Sequence, residues 1–540
     1  MKKIILTGIT VLFIIPLFFL SGYNSQDRDS VNTAGDSIFG GIQIHTINMH
    51  FSQANYWDSL LFYYNQGLEQ YMSANVTVNG VTFNNVGVRM KGNSSFTHPN
   101  NKKPFKISFD NYVSGQKWNG LKSVSLNNCW NDPTFMREKL YLDICRYAGI
   151  PAPRCNFVKL LINDTAFAFY SMVESVDKTF LSSRYNDNSG IYYKAVDGRD
   201  TGVQVFSDFR WLGSDTSVYL DKYELKSDLA GTPWKKLVGF IDTLNHSSTV
   251  QTSLPNNVNM SAFYKAMSMD IISANLDAYM HSGRNFYVYF NPVLSTKLDW
   301  IIWDASLAFA AMPGQGISSI ETLPVTYVVS DTARPLLGKI IDNTTLKNAY
   351  LLAMCNLSKG YFSTSFLYPH IDSIANIIRT EVYADSRKMY TNAQFETNII
   401  SDLTISGERK PGLKSYLLLR QNSISSQMNN LGINCESAVG SNGSIYDLKY
   451  TLDQNYPNPF NPETKISYVL PKQSVVTLTI YNITGQAVRT LVLNTQQKSG
   501  NYSYTWNGRD DNGTPVSSGV YFYKLQTQDF VQAKKMLFIK

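Results

Sequence analysis

The chain is poor in the features that define several large protein classes. Its five cysteines, Cys129, Cys145, Cys155, Cys355 and Cys435, are too few and too dispersed among 540 residues for a disulfide scaffold. Their odd number leaves at least one thiol without a partner in the same chain, and buried free thiols are the expected state of most of them. No C-x-x-C pair and no His/Cys cluster suggests zinc. Lysine and arginine outnumber acidic residues 48 to 41, a net charge of +7, yet no basic run of the kind that marks a nucleic-acid arm occurs, so no nucleic-acid partner is expected. Internal repeats are not evident. The phosphate-cradling sequences G-x-x-x-x-G-K-[ST] and G-x-G-x-x-G are absent as well.

Long apolar runs are also lacking, with one exception. Lys2 and Lys3 precede an apolar stretch over residues 4–20, and the small residues Ser21 and Gly22 follow, which is the layout of a secretory signal peptide over residues 1–22. The mature chain is then exported and carries no membrane span. A retained anchor is the competing reading, weakened by Thr7, Gly8, Thr10 and Pro16. Residues 23–40 are polar, rich in Ser, Asn and Asp, and read as a flexible leader. The remainder, in a chain that is 44% hydrophobic and 13% aromatic, can bury a large core and form more than one domain.

The most informative stretch is 275–290 (NLDAYMHSGRNFYVYF) followed by 300–304 (WIIWD). Phe286 to Phe290 and Trp300 to Trp303 are β-branched and aromatic runs separated by Asn291-Pro292 and a polar loop, which predicts a hairpin. Asp277 and Asn285 then lie in the loop that feeds the first strand, and Asp304 at the exit of the second. Carboxylate, amide and a carboxylate beyond a short hairpin is an order that can carry phosphoryl transfer, the first orienting a hydroxyl and the others holding a metal. The bland alternative is that both aspartates are caps or turn residues.

Upstream, residues 86–95 (VGVRMKGNSS) and 104–110 (PFKISFD) read as two strands. Period-two alternation puts Val86, Val88 and Met90 on one face, Arg89 and Lys91 on the other, and Lys106 on the polar face of the second strand. If the strands pair, three cations share one side, and Gly92-Asn93-Ser94-Ser95 offers small residues whose N–H groups can approach an anion. Ordinary surface lysines on a solvated hairpin are the competing reading. Asp132-Pro133 reads as a helix N-cap with proline at the first helical position, and residues 135–148 carry apolar side chains at helical spacing. Arg137 in the first turn opposes the helix dipole, which suits an acidic partner or a phosphate as well as a surface position. Residues 157–162 and 167–173 predict a further hairpin, and Glu174 at its end is a candidate partner for Lys106.

Residues 87–95, 103–109 (KPFKISF), 132–138 (DPTFMRE), 148–153 (AGIPAP), 275–277 (NLD) and 302–304 (IWD) together resemble the spore-coat protein H (CotH) kinase-like family. The resemblance covers residues 41–430. It implies an atypical protein-kinase-like two-lobed domain that uses ATP with Mg2+ or Mn2+ to phosphorylate Ser or Thr hydroxyls of secreted or surface proteins. It puts the catalytic carboxylate on Asp277, a metal ligand on Asp304, a second on Asn285 and a phosphate contact on Lys106. Arg89, Lys91, Arg137 and Glu174 complete the candidate cofactor-binding set. Two departures stand out: Ser306 occupies a position where the family often has Asp or Asn, and Asn285 lies farther from Asp277 than in the tighter kinase spacing. A catalytically inactive kinase-like structural or adhesive surface protein is therefore the alternative.

From residue 333 to 426 the pattern is helical, with apolar stripes at Leu336, Leu337, Ile340 and Ile341 and at Ile371, Ile374, Ile377 and Ile378. Residues 431–449 form a Gly/Ser/Asn-rich linker. Beyond it, short alternating strands punctuated by Gly, Asn and Pro, starting at 455–462 (NYPNPFNP), predict a small all-β immunoglobulin-like sandwich over 450–540. The order of these elements resembles the type IX secretion sorting domain, which implies the type IX machinery as a partner and a secreted, cell-surface or outer-membrane location. An adhesive module with Tyr502, Tyr504 and Trp506 as its platform is the competing reading. The fold class expected overall is α+β.

Overall fold

The computed structural model describes residues 34–435 and 450–539, apart from 99, 197–204, 228–231, 313–316, 318, 453–454, 456–457, 471–472 and 498–499. Residues 1–22, read above as a signal peptide, most of those read as a leader and most of those read as a linker lie outside these residues.

Seven strands open the fold: β1 (Ile44–His50), β2 (Met72–Val78), β3 (Val81–Met90), β4 (Phe105–Ser108), β5 (Ser123–Asn127), β6 (Cys155–Ile162) and β7 (Thr165–Glu174). They close into a barrel in the order β1-β2-β3-β4-β5-β7-β6. Closure comes from β1, which pairs antiparallel with β2 on one side and parallel with β6 on the other, Ile44 opposite Phe157 through Met49 opposite Ile162. Inward residues fill the interior, among them Val76, Val78, Val86, Val88, Phe105, Ile107, Leu126, Leu160 and Met172. Each such side chain contributes about 1.5–3 kcal/mol on leaving water. The β6–β7 hairpin turns at Asn163 and Asp164, both in the left-handed conformation that a two-residue turn demands.

Pairing of β1 with β6 leaves this barrel without a free edge. Two local readings are corrected. The helix expected from Pro133 begins at Arg137, since Asp132 spends its carboxylate on a turn, accepting from the N–H groups of Thr134 and Arg137 at 2.9 Å each. The end of the supposed leader is ordered: Asp36–Phe39 forms a helical turn that buries Ile38 and Phe39, and Asp36 pairs with Arg154 at 2.7 Å.

A second core lies beyond the barrel. Strands β8 (Ile191–Ala195), β9 (Tyr223–Leu225), β10 (Phe286–Asn291) and β11 (Lys297–Ile302) form a sheet in the order β11-β10-β8-β9. The hairpin expected at 286–302 is present, with Phe286 opposite Ile302 and Asn291 opposite Lys297. Helices Arg137–Tyr147, Pro233–His246, Met260–Ile272, Pro335–Asp342, Thr344–Lys359, Thr364–Ala384 and Leu413–Asn430 pack into this core, which also takes Phe157 and Phe169 from the barrel strands. Both apolar stripes face inward: Leu336, Leu337, Ile340, Ile371, Ile374 and Ile378 are buried, with Ile341 and Ile377 at the margin. Cys355 and Cys435 form a disulfide, while Cys129, Cys145 and Cys155 are buried free thiols. A short hairpin, β12 (Leu403–Ile405) with β13 (Glu408–Lys410), precedes the last helix.

The C-terminal region is all β: β14 (Thr451–Leu452), β15 (Thr464–Leu470), β16 (Ser474–Tyr481), β17 (Ala487–Gln497), β18 (Gly500–Trp506), β19 (Gly519–Gln526) and β20 (Val531–Phe538). Two sheets, β14-β15-β18 and β17-β16-β19-β20, enclose a core that contains Ile466, Leu478, Ile480, Tyr523 and Met536. Trp506 belongs to that core at 1% exposure and Tyr468 stacks on Tyr502, so these aromatics serve packing rather than a platform. Among the described residues no helix is long and apolar enough to cross a membrane.

Candidate active site

The β10–β11 hairpin sets three side chains at one of its ends. Asn285, immediately before β10, and Asp304, two residues after β11, both hold positive φ (62° and 49°), a conformation Asn and Asp tolerate better than most residues. Each reverses the chain sharply. The side-chain amide of Asn285 donates to the main-chain carbonyl and to Oδ2 of Asp277, both at 2.9 Å, and the main-chain carbonyl of Asn285 accepts from Trp303 N at 3.2 Å. Asp277, Asn285 and the strand leading to Asp304 are thus tied together. Ser306 donates to Asp304 Oδ1 at 2.7 Å. Arg284 lies beside Asp277, Nε 3.7 Å from Oδ1, and among the described residues its buried Nε and Nη1 have no hydrogen-bond partner.

The barrel supplies the opposing wall. Arg89 is directly opposite Lys106 across β3 and β4, so the three cations do share one face, with Lys91 one pleat farther along. Arg89 is held by Glu69 at 2.7 Å. Lys106 donates to Ser175 Oγ. Burial pushes its ammonium down to about 7, the Lys91 charge adds to the effect, and Asp177 opposes it. Lys91 Nζ donates to Asn127 Oδ1 at 2.7 Å, and Asn127 Nδ2 donates to both oxygens of Glu138 at 3.0 and 2.9 Å. Ser171 adds a third bond to Glu138 at 3.0 Å. Burial raises the Glu138 carboxyl to about 7, and the charge of Asp304 raises it further, against Asn127, Lys91 and Ser171. Burial likewise lowers Lys91, while Asp304 and Glu138 act to raise it. Lys91, Glu138 and Asp304 therefore sit within one electrostatic neighbourhood, in which each charge acts on the others.

Two expected residues are elsewhere. Glu174 does not meet Lys106: it accepts from Arg154 at 3.0 and 2.6 Å and from Arg184 at 2.8 Å, because it ends β7 on the side where β6 begins. Arg137 touches no phosphate-accessible surface. It is fully buried, with Nη1 on Asp132 at 2.6 Å and Nη2 on Asn398 and the Pro411 carbonyl at 3.0 and 2.6 Å, and so braces its helix against the C-terminal part of the second core. The carboxylate that faces the site is its neighbour Glu138. Sequence reasoning passed over Glu138 and Asn127. A glutamate in the first turn of a helix whose later turns carry apolar residues was the available signal.

The donor set was tested for a divalent cation. With its Nδ2 committed to Asp277, Asn285 has its side-chain Oδ1 left to act as a ligand, and Asp304 retains Oδ2 beside the oxygen that Ser306 engages. Both are hard oxygen donors of the kind that suits Mg2+ or Mn2+. Among the described residues no group of three His, Cys, Asp or Glu side chains forms a metal cage. That combination fits a cation held by one or two protein oxygens together with phosphates and water.

The chain is similar to known proteins in both its large N-terminal part and its C-terminal β region. The model of the family described as CotH kinase protein matches residues 88–404, and that of the FlgD Ig-like domain matches 459–529. The chain is 24% identical over 298 residues to the inner spore coat protein H of Bacillus subtilis, covering 55% of this chain and 77% of that one. It is 22% identical over 317 residues to the invasin CotH7 of Rhizopus delemar, covering 56% of this chain but only 50% of the invasin. Among solved structures, FlgD from P. aeruginosa is 29% identical over 14% of this chain and 57% of that chain, with a TM-score of 0.12. Since the first of these matches takes in more than half of the 540 residues and contains Arg89, Lys91, Lys106, Glu138, Asp277, Asn285 and Asp304, the chain belongs to the CotH kinase protein family.

Proposed function

We propose that this protein is an exported, cell-surface phosphotransferase that moves the γ-phosphate of ATP to Ser or Thr hydroxyls of secreted or surface proteins. The observation that carries the proposal is the meeting of the Asp277–Asn285–Asp304 hairpin end with the Lys91–Asn127–Glu138 chain of the barrel. ATP with Mg2+ or Mn2+ would supply the phosphoryl group, ADP leaving, and positive charge to offset that of the phosphates. Asp304 and the side-chain Oδ1 of Asn285 are the groups that would hold the cation. Asp277, fixed by the two Asn285 hydrogen bonds, orients the acceptor hydroxyl and takes its proton. Lys91, Lys106 and Arg89 present a cationic wall to the phosphates, and Glu138 keeps Lys91 in place through Asn127.

Export rests on the apolar run at residues 4–20, and passage through the type IX machinery on the order of elements in the C-terminal immunoglobulin-like domain. A kinase-like two-lobed arrangement agrees with the presence of two separate cores, one in the barrel and one beyond it. The competing reading, a structural or adhesive surface protein without chemistry, draws support from Ser306, which engages one Asp304 oxygen where the family often has a further ligand.

Calorimetric titration of the full chain with ATP, in the presence and absence of Mg2+ or Mn2+, tests the proposal. Metal-dependent binding that is lost in Asp304→Ala, with phosphate transfer lost in Asp277→Asn while ATP still binds, is the expected result. Absence of ATP binding with either metal sinks the enzyme reading and leaves the structural one.

A further inference from the structure

At the opposite end of the same hairpin lies a cavity of about 270 Å3, lined by Tyr185, Asn259, Ser261, Lys265, Asn291 and Asp299 among others. Asn291 closes β10 six residues after Asn285, so the two ends of the hairpin are roughly 20 Å apart at about 3.3 Å per strand residue. Four elements build the cavity: the hairpin, the helix Met260–Ile272, the 149–151 loop and, through Tyr185, the helix Lys178–Tyr185. Asn259 caps the helix Met260–Ile272 and is docked on the hairpin through Asn259 N to the Leu298 carbonyl at 2.9 Å, while the 149–151 loop is docked through Ile302 N to the Pro151 carbonyl at 3.1 Å.

Two of its groups are in a state that a folded protein rarely leaves uncompensated. Asp299 is 1% exposed and accepts only from two neutral amides, Asn259 Nδ2 at 2.6 Å and Asn291 Nδ2 at 2.8 Å. Among the described residues no Lys, Arg or His comes within 4.0 Å of its carboxylate, although Lys265 lines the same cavity and donates to the Ala148 carbonyl at 3.3 Å. Burial of a carboxylate without a cation is costly, and its burial accordingly raises the Asp299 carboxyl above the usual range. The second group is the Tyr185 hydroxyl, which is buried and, among the described residues, has no hydrogen-bond partner. The cavity thus presents a carboxylate and an orphan hydroxyl, an ammonium too far off to neutralise the carboxylate, and an apolar lining from Pro151, Ala262, Val293 and Leu294.

We propose that this cavity is a binding site for a small zwitterion of the α-amino-acid class, its ammonium against Asp299 and Tyr185 and its carboxylate against Lys265 and Ser261. Such a ligand supplies the missing cation, partners the Tyr185 hydroxyl and leaves room for a short apolar side chain. Its size matches the cavity, which lies at the lower limit of small-molecule sites. The site requires nothing of the phosphoryl-transfer reading, since none of its residues belongs to that machinery.

The test is calorimetric titration of the full chain with each of the twenty proteinogenic L-amino acids. For every binder the corresponding decarboxylated amine and deaminated acid follow; for leucine these are isoamylamine and 4-methylpentanoate. The expected result is that at least one amino acid binds and that both of its single-charge counterparts bind at least about tenfold more weakly. Tyr185→Phe removes a hydroxyl that has no partner, so it leaves the melting temperature unchanged or higher and weakens the amino acid about tenfold, the worth of one hydrogen bond to a charged group. Lys265→Met abolishes the preference for the zwitterion over the amine. Failure of all twenty to bind overturns the proposal, as does equal binding of amine and amino acid, or unchanged affinity in Tyr185→Phe.

Discussion

Glu138 offers the sharpest handle on the site, because its protonation responds to Asp304 across the gap between barrel and hairpin. The side chain is 5% exposed, and its carboxyl titrates near 7 in the fold against 4.5 for a free glutamate. Below pH 4.5 the group is protonated whether the chain is folded or not, and it costs nothing. As pH rises from 4.5 towards 7 the unfolded chain releases the proton while the native state keeps it, so native stability falls over that window and levels off above it. Each pH unit is worth about 1.4 kcal/mol, which makes the loss about 3 kcal/mol. Glu138→Gln removes the charge and keeps an acceptor for Asn127 and Ser171. The variant is therefore expected to gain on the parent by about 3 kcal/mol between pH 4.5 and 7.5, or roughly 5 °C in melting temperature for a domain of this size.

The assay is differential scanning fluorimetry of the full-length parent and variant in parallel at half-unit pH steps. Taking the difference between the two curves cancels every other titrating group. Asp304→Asn provides an internal control: the neighbouring negative charge helps to raise Glu138, so its removal shrinks the parent's loss and with it the advantage of Glu138→Gln in that background. A difference curve that is flat from pH 4.5 to 7.5 refutes the reasoning, and so does one that is unaffected by Asp304→Asn, since then Glu138 and Asp304 do not share a neighbourhood.

Arg137→Met is expected to cost about 3–5 kcal/mol in urea denaturation, because it leaves the Asp132 carboxylate buried without its cation. Loss of the 2.6 Å Pro411 contact adds to this, and parent-like stability would show the strut to be dispensable. Replacement of Cys355 and Cys435 by serine removes a crosslink that closes a loop of 80 residues and is expected to lower stability by about 4 kcal/mol, read from the urea midpoint; an unchanged midpoint excludes the bond in solution. Lys106, pushed down to about 7 by burial, is largely neutral at pH 8 and regains its proton beside phosphate. ATP binding at pH 8 should accordingly take up close to one proton, measured by calorimetry in buffers of different ionisation enthalpy, and the uptake should vanish in Lys106→Met.

What could be read from the residues alone follows a physical division between local and non-local interactions. The β10–β11 hairpin was legible because alternation, aromatic content and Asn291-Pro292 act within about fifteen residues, and the two helical stripes at 336–341 and 371–378 were legible for the same reason. The shared face of Arg89, Lys91 and Lys106 followed from the period of a strand once β3 and β4 pair. Barrel closure was not legible, since the parallel pairing of β1 with β6 joins residues more than a hundred positions apart and no local signal encodes it. The same limit explains the two misplaced site residues. Arg137 and Glu138 are adjacent in sequence but point in different directions around a helix, where successive side chains turn by about 100°. Only the position of Asn398 and Pro411 on one side, and of Asn127 and Lys91 on the other, decides that the arginine becomes a strut and the glutamate faces the site. Glu174 is lost to Arg154 by the same logic, because β6 returns an arginine to the end of β7. The carboxylate beside Lys91 is thus carried by the helix that follows β5, and its tertiary partners rather than its distance along the chain mark it.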